Sequence, residues 1–153
     1  MAEAGADLAN LDTFIHGTTL ATNALMARTG ARTALVTTAG FRYTIEMRTE
    51  SRFEQYDLNL VLPAPLIERK DRHVLAERIS VDGRVLRPFD EAEARALVDH
   101  LADRPDDEAY EAVAIGFIHA YVDGTHERRF RDLLLERLPG VAVSISSEVS
   151  PQM

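Results

Sequence analysis

The amino-acid sequence predicts an α/β fold in which a mixed or mostly parallel sheet is flanked by helices. Short runs of β-branched and apolar residues alternate with segments of helical period, and capping residues separate the two kinds of segment. The run from Glu111 to Ile118 is nearly continuously apolar, as expected of a parallel strand buried on both faces. We expect strands near residues 12–16, 32–37, 112–118 and 141–145.

The first half of the chain contains one clear helix and one clear turn. The helix runs from Leu20 to Arg28, after the good N-cap residues Thr18 and Thr19, and Gly30 is expected to close it. The second strand leads into a turn at Ala39-Gly40.

The middle of the chain is predicted to lose regular structure and then to form a hairpin. A short helix is expected over 41–47, and residues 48–65 show no period. The runs 72–79 and 84–86 flank Asp82-Gly83, a favoured tight turn, so we expect them to pair as a hairpin.

Two further helices are predicted in the second half. Asp90 and Glu93 resemble a capping pair, and Asp123 or Thr125 is placed to cap the second helix. These helices are expected to extend to about Arg104 and to Leu138. The last strand leads into a polar segment that stops without a closing element. Ligands bind beyond the carboxyl ends of parallel strands, so chemistry is expected in such a segment.

Composition excludes several classes of function. The chain of 153 residues suits one domain, 1–153, and it contains no cysteine, which excludes disulfides, thiolate nucleophiles and thiolate metal sites. A net charge of −8 argues against a nucleic-acid partner. No apolar run approaches the ~20 residues of a membrane span, and no signal peptide is evident, so we expect a cytoplasmic protein with no membrane partner. Lys70 is the single lysine and lies in a charged run, where a solvated side chain is expected rather than a Schiff-base nucleophile.

One short segment carries a recognisable arrangement for chemistry. A strand ends at His16, Gly17 permits a close backbone approach, and Thr18 and Thr19 open a helix. The free N–H groups and positive dipole end of such a helix start, together with the hydroxyls, can hold a phosphate or a developing oxyanion. The residues also fit a simpler interpretation, in which a threonine caps the helix and His16 is a core side chain.

The segment His16–Leu25 resembles the HGTT-ATNAL signature of the hydantoinase A/5-oxoprolinase family, which includes the ATP-binding subunits of acetone and acetophenone carboxylases. The similarity continues in order along nearly the whole chain. It is carried by Arg28, Gly30–Ala34, Thr37–Arg42, Tyr56–Leu58, Pro65-Leu66, Glu77–Ile79, Asp82-Gly83, Pro88–Glu91, Ala112–Ile115, His119–Tyr121, His126–Arg129, Leu138–Val141 and Ser144–Pro151.

The resemblance implies an N-terminal region of an actin-like ATPase type. For the parent protein it implies ATP, with Mg²⁺ or Mn²⁺, and activation of a cyclic amide or a ketone by phosphorylation of its oxygen. Hydantoins and 5-oxoproline are then ring-opened, and ketones are carboxylated. The family's G-x-D-x-G-G-T-F-T-D phosphate loop has no match in this sequence. We therefore expect a partial region that lacks this loop and the C-terminal catalytic portion. Its partners would be the rest of its chain and a second subunit of the hydantoinase B type. A catalytically inactive folded or assembly module is the alternative.

The candidate site residues fall into three groups. His119 follows a buried strand and Glu148 follows the last strand, where it could act as acid, base or metal ligand, or as a structural cap. His73, His100 and His126 are interpreted as surface residues. The candidate catalytic residues are His16, Thr18, Thr19, His119 and Glu148. The candidate cofactor-binding residues are Gly17, Thr18, Thr19 and Asn23. Arg48, Arg52 and Tyr56 lie in the aperiodic stretch and are candidates for substrate contact or for domain packing. No His, Asp or Glu spacing argues for a metal site.

Overall fold

The structure, a computed structural model, describes residues 19–48, 59 and 62–151. The chain forms two compact units, residues 1–30 and residues 31–153. The strand predicted at 12–16 lies outside the described residues.

In the first unit the described residues form one helix, α1 (Leu20–Ala27). The helix ends at Arg28, which adopts the left-handed conformation with φ 52°, and the Thr29 amide bonds to the Ala24 carbonyl at 3.0 Å. The prediction that Gly30 closes the helix is therefore wrong, because the left-handed C-terminal residue comes two positions earlier.

The described residues of the second unit form a four-stranded sheet in which every neighbouring pair is parallel. Its spatial order is β2 (Arg72–Leu75), β1 (Thr33–Thr38), β5 (Ala112–Gly116) and β6 (Ala142–Ile145). Strand β1 pairs with β2 and with β5, and β5 pairs with β6. The predicted α/β fold with a mostly parallel sheet is confirmed.

The predicted hairpin is correct only in its second half. The short strands β3 (Arg78–Ile79) and β4 (Val85–Arg87) pair antiparallel around Gly83, which has φ 81°. Residues 72–75 instead form β2, which pairs parallel with β1 and is the outer strand of the sheet among the described residues. The buried Arg72 fixes this strand, since its guanidinium bonds to the Ile67 carbonyl and pairs with Glu46.

Helices α3 (Glu91–Ala102) and α4 (Thr125–Arg137) contact each other, and they pack on β2 and on β5 and β6 respectively. Asp90 caps α3, as predicted, by accepting from the Ala92 and Glu93 amides. Glu93 does not complete the predicted pair, because its carboxylate accepts from the Ala76 amide at 3.0 Å.

Two short helices complete the described elements, α2 (Thr44–Met47) after β1 and α5 (Ser146–Val149) after β6. Because α5 follows the last strand directly, the expectation of no closing element is wrong. Single 3₁₀ turns occur at Arg69–Asp71 and Asp106–Glu108.

The core lies between the sheet and the two long helices. Helix α3 buries Ala94, Val98 and Leu101 and α4 buries Phe130, Leu133 and Leu134, while Leu97 and Leu138 are only partly covered. The fully buried apolar side chains of the core include Leu75, Leu101, Ile115, Phe130, Leu134 and Ile145. Within the described ranges no helix has the length and apolar character needed to cross a bilayer.

Candidate functional site

The carboxyl ends of the four parallel strands meet at one edge of the sheet in the second unit. Thr38 ends β1, Glu77 lies two residues beyond β2, Phe117 and Ile118 follow β5, and Ser146 follows β6. Ligands of parallel α/β sheets bind at this edge. The first turn of α4, which contains His126 and Glu127, is hydrogen-bonded to the same edge of the sheet. We call the hydrogen-bonded set at this edge the carboxyl-edge network, and its members are Thr38, Glu77, Phe117, Ile118, His126, Glu127, Ser146 and Ser147.

Glu77 is the first of two buried carboxylates in this network and is 1% exposed. One of its oxygens accepts from the Thr38 hydroxyl, and the other accepts from His126 Nδ1 at 2.8 Å. The Thr38 oxygen in turn accepts from the Ile118 amide at 2.9 Å. A continuous chain of hydrogen bonds therefore links the backbone after β5, through the Thr38 hydroxyl, to the carboxylate after β2.

Glu127 is the second buried carboxylate and has no exposed surface. Its Oε1 accepts from the Phe117 amide at 3.0 Å and the Ser146 hydroxyl at 2.6 Å. Its Oε2 accepts from the Ser147 amide at 2.9 Å and the Ser147 hydroxyl at 2.7 Å. Four donors satisfy the charge, which is the condition under which burial of a carboxylate is tolerated.

The start of α4 must approach Ser147 closely for Glu127 to make these bonds. Gly124 allows this, because a Cβ at that position would lie 2.6 Å from Ser147 Oγ and 2.9 Å from Ser147 Cβ. Asp123 precedes it and accepts from the Thr125 hydroxyl and amide, and these hydrogen bonds hold the pKa of Asp123 below its ordinary value. Gly124 occupies the N-cap position, one residue after Asp123, and the predicted capping bond is made by the Asp123 side chain, which accepts from the first amide of the helix.

His119 lies in the turn between β5 and α4 and is partly buried. Its φ is 63°, a left-handed conformation that costs a side-chain-bearing residue free energy. The imidazole Nδ1 lies 3.2 Å from the Tyr121 hydroxyl. The predicted position of His119 at the end of a buried strand is thus the position it occupies.

A cationic group also lies near this edge. The Arg78 guanidinium stacks over the Phe41 ring at 4.6 Å from its centroid. Its Nη1 is buried and has no hydrogen-bond partner among the residues that the structure describes. A buried guanidinium nitrogen without a partner is costly, so Arg78 is an available donor for an oxygen that reaches it.

The other predicted site residues lie in several places. Thr19 is the N-cap residue of α1, yet its side chain makes no cap bond; Asn23 Nδ2 donates to its hydroxyl oxygen at 3.2 Å. Arg48 follows α2 with φ 54° and bonds to the Pro63 carbonyl. Glu148 is exposed, lies in α5 and pairs with Arg131 at 2.8 Å. His16, Gly17, Thr18, Arg52 and Tyr56 lie outside the described residues.

The interpretation of His126 as a surface residue is wrong, since it is 6% exposed and bonded to Glu77. The buried stripe of α4 extends into its first turn, so residues 126 and 127 face the sheet together with Phe130. The sequence does contain the signal for this burial, because position 126 lies at helical spacing from Phe130 and Leu134. The polar residues of the first turn favoured the surface interpretation instead.

His73 is also more buried than predicted. Burial, together with repulsion from His100, Arg42 and Arg104, lowers the pKa of His73 to about 4. Tyr110 donates its hydroxyl to Asp71 at 2.8 Å, so its oxygen accepts from His73 Nε2 at 3.2 Å. These residues surround the amino ends of the strands, opposite the carboxyl-edge network.

The amino-end surface includes an open cavity of about 430 Å³, lined by Arg32, Lys70, Asp71, Arg104, Asp107 and Glu108. Two of its cationic side chains are paired with carboxylates: Arg104 bonds to Glu108 in the lining, and the exposed Lys70 pairs with Glu68 beside it. In the described part of the chain no three His, Asp or Glu side chains are grouped to hold a metal ion.

The fold and the network define a parallel-sheet α/β region whose polar groups collect at the carboxyl edge, as in α/β enzymes. Residues 1–138 match the hydantoinase/oxoprolinase N-terminal region, and the chain belongs to that family. It is 32% identical to the caprolactamase subunit alpha of Pseudomonas jessenii over 95% of this chain and 21% of that protein. It is 31% identical to the acetophenone carboxylase gamma subunit of Aromatoleum aromaticum over 84% of this chain and 18% of that protein.

A solved structure shows the same fold. The crystal structure of the ATP-dependent caprolactamase from Pseudomonas jessenii matches 99% of this chain and 22% of its own, with a TM-score of 0.80 and 32% identity. The chain therefore spans about a fifth of the length of these relatives. The resemblance seen in the sequence is confirmed, both for the family and for the fold.

Proposed function

We propose that this chain is part of an ATP-dependent hydrolase that acts on a cyclic amide of the hydantoin or 5-oxoproline type. The observation that carries the proposal is the match to the ATP-dependent caprolactamase, at a TM-score of 0.80 over 99% of the chain. Because the chain spans 21% of the caprolactamase subunit alpha, we propose that residues 1–153 are a partial region and act with the rest of a longer chain.

In the proposed reaction the amide oxygen attacks the γ-phosphorus of ATP, and ADP leaves. Phosphorylation activates the ring carbon, water adds there, and the C–N bond breaks to give an acyl phosphate and an amine. A second water attacks the acyl carbon, and phosphate leaves with the original amide oxygen. Such a reaction needs preorganised donors around the phosphoryl oxygens and a divalent cation, Mg²⁺ or Mn²⁺, to offset charge.

The proposed donors are Gly17, Thr18 and Thr19, which the sequence predicts to form a turn, and the start of α1. The Thr19 hydroxyl accepts from Asn23, so its own hydrogen is still available to donate to a phosphate or substrate oxygen. Gly17 and Thr18 would add backbone and hydroxyl donors. This supports a phosphate-binding role for Thr19 over a capping role, since its side chain makes no cap bond.

At the carboxyl edge, His119 is the proposed proton-transfer group. Its backbone strain supports this role, since left-handed side-chain-bearing residues cluster at functional sites. Glu148 is proposed as a second acid or base, and its ion pair with Arg131 would have to open first. Arg48, Arg52 and Tyr56 are proposed to contact the substrate.

A second candidate function is activation of a ketone for carboxylation, which the match to the acetophenone carboxylase gamma subunit favours. The relatives are named as subunits, alpha and gamma, which supports a second subunit of the hydantoinase B type as a partner.

The two candidates separate in one substrate panel. The longer protein, with its partner subunit, is incubated with ATP and a lactam, a hydantoin, 5-oxoproline, or a ketone with bicarbonate. ATP consumption that depends on a cyclic amide supports the first function, and consumption that depends on a ketone supports the second. If neither a cyclic amide nor a ketone stimulates ATP consumption, both proposed functions are refuted.

The Thr18→Ala and Thr19→Ala variants test the phosphate-binding role. Loss of one preorganised donor costs on the order of 10²–10³ in turnover, whereas loss of a helix cap costs ~1 kcal/mol of stability. Melting temperature and turnover are measured for each variant. If both variants lose stability and keep turnover, the threonines are caps and the phosphate-binding role is wrong.

A further inference from the structure

We infer that Thr38, Glu77 and Glu127 are positioning residues that hold the turn carrying His119 in place for the reaction. The inference rests on the proposed function, because the positioning of His119 matters only if that imidazole meets the substrate. It concerns three residues that are not among the candidate site residues predicted from the sequence.

The two amides immediately before His119 are both held by side chains from other elements. The Phe117 amide donates to Glu127 at 3.0 Å, and the Ile118 amide donates to the Thr38 hydroxyl oxygen at 2.9 Å. β5 ends at Gly116, so neither amide belongs to the regular strand. Side chains therefore take over where the backbone ladder stops.

The conformation of His119 explains why such support is needed. Its φ of 63° is unfavourable for a side-chain-bearing residue and persists only when the surroundings over-determine it. Within the turn, the Ala120 amide bonds to the Phe117 carbonyl at 3.2 Å, and the Val122 amide bonds to the His119 carbonyl at 3.0 Å. These bonds close the turn but do not attach it to other elements, whereas the Thr38 bond attaches it to β1 and the Glu127 bond attaches it to α4.

Thr38 can perform this task because its hydroxyl is itself oriented. The hydroxyl donates to Glu77, so its lone pair is directed at the Ile118 amide. Glu77 is held in turn by His126 Nδ1 at 2.8 Å. Burying two carboxylates and an imidazole is a costly way to gain stability, since apolar residues of similar volume often stabilise as well or better. Their directional bonds fix the geometry of the turn, which apolar side chains would not do.

The test compares three substitutions on adjacent positions of β1. Thr38→Val removes the hydroxyl at nearly constant volume, and Thr38→Ser keeps it. Thr37→Val is the matched control, because Thr37 is also buried, at 6% exposed, and its side chain makes none of the bonds of the carboxyl-edge network. The ¹⁵N and ¹³C signals of the His119 ring are followed through a pH titration in each purified chain, with His119→Gln used for assignment. Turnover and KM are measured for the same variants in the longer protein.

Thr38→Val is expected to move the His119 ring signals and to lower kcat by on the order of 10²-fold with little change in KM. Thr38→Ser and Thr37→Val are expected to keep both near the parent values. Unchanged His119 signals in Thr38→Val would overturn the inference, and so would displaced signals with full kcat. If Thr38→Val does not fold, Glu77→Gln gives the same readouts. Absence of any ATP-dependent turnover in the parent protein would refute the proposed function, while the ring signals would still decide whether Thr38 positions His119.

Discussion

Replacement of Glu127 by glutamine tests the energetics of the buried network. Glu127 accepts four hydrogen bonds, two on each oxygen, from two amides and two serine hydroxyls. Glutamine keeps one acceptor oxygen and places an NH₂ group against the two donors on the other side. Hydrogen bonds to a charged group contribute about 1.5–3 kcal/mol each, and one serine hydroxyl can rotate to accept from the new amide. We therefore expect Glu127→Gln to lower the free energy of unfolding by about 2–4 kcal/mol.

The assay is urea unfolding followed by circular dichroism, with thermal melting as a second readout. A loss of this size in a chain of 153 residues corresponds to a fall in Tm of about 5–15 °C. Glu136→Gln is the matched control, because Glu136 lies on the same helix and its exposed side chain makes only a solvated ion pair with Arg95. The control is expected to change stability by less than about 0.5 kcal/mol. If Glu127→Gln costs no more than Glu136→Gln, the buried carboxylate does not hold the edge together.

Three further outcomes follow from single positions. Gly124→Ala should lower the free energy of unfolding by about 1–3 kcal/mol, because the new Cβ meets Ser147. Gly140→Ala is the control and should be nearly neutral, because a Cβ there has nothing within 4 Å. Equal unfolding midpoints of the two variants would refute this prediction. Asp90→Ala should cost about 1 kcal/mol through loss of the α3 cap, and an unchanged midpoint in urea would show the cap to be dispensable. The folded pKa of His73 is about 4, below its unfolded value of about 6.5, so the unfolded chain binds more protons between these values and stability falls as pH drops through this window. The free energy of unfolding of His73→Gln should therefore fall less steeply than that of the parent from pH 6.5 to 4. An equal slope in the two proteins would contradict the lowered pKa of His73.

The sequence predicted the elements whose signal is local. Period and capping predicted strands near 32–37, 112–118 and 141–145 and the helices around them. The structure has these strands at 33–38, 112–116 and 142–145. β2 was misassigned because Asp82-Gly83 gives a strong hairpin signal, and only pairing with β1 reveals that residues 72–75 belong to the parallel sheet.

The candidate site was predicted less completely, for a physical reason. His119 could be placed at a strand end from the sequence, but its left-handed backbone conformation is set by tertiary contacts and leaves no local signal. Glu77 and Glu127 lie 50 positions apart along the chain and are buried only because the carboxyl ends of separate strands converge. A charged residue is usually exposed, so sequence reasoning favours the surface for such residues until the fold is known.

The most direct test of the proposed function is the fate of the amide oxygen. The longer protein is given ATP and a cyclic amide labelled with ¹⁸O at the ring carbonyl, and the inorganic phosphate is examined by mass spectrometry. Phosphorylation of the amide oxygen, followed by departure of phosphate from the acyl carbon, predicts one ¹⁸O in each phosphate formed. Phosphate free of label, with the ¹⁸O retained in the carboxylate of the ring-opened product, would contradict it.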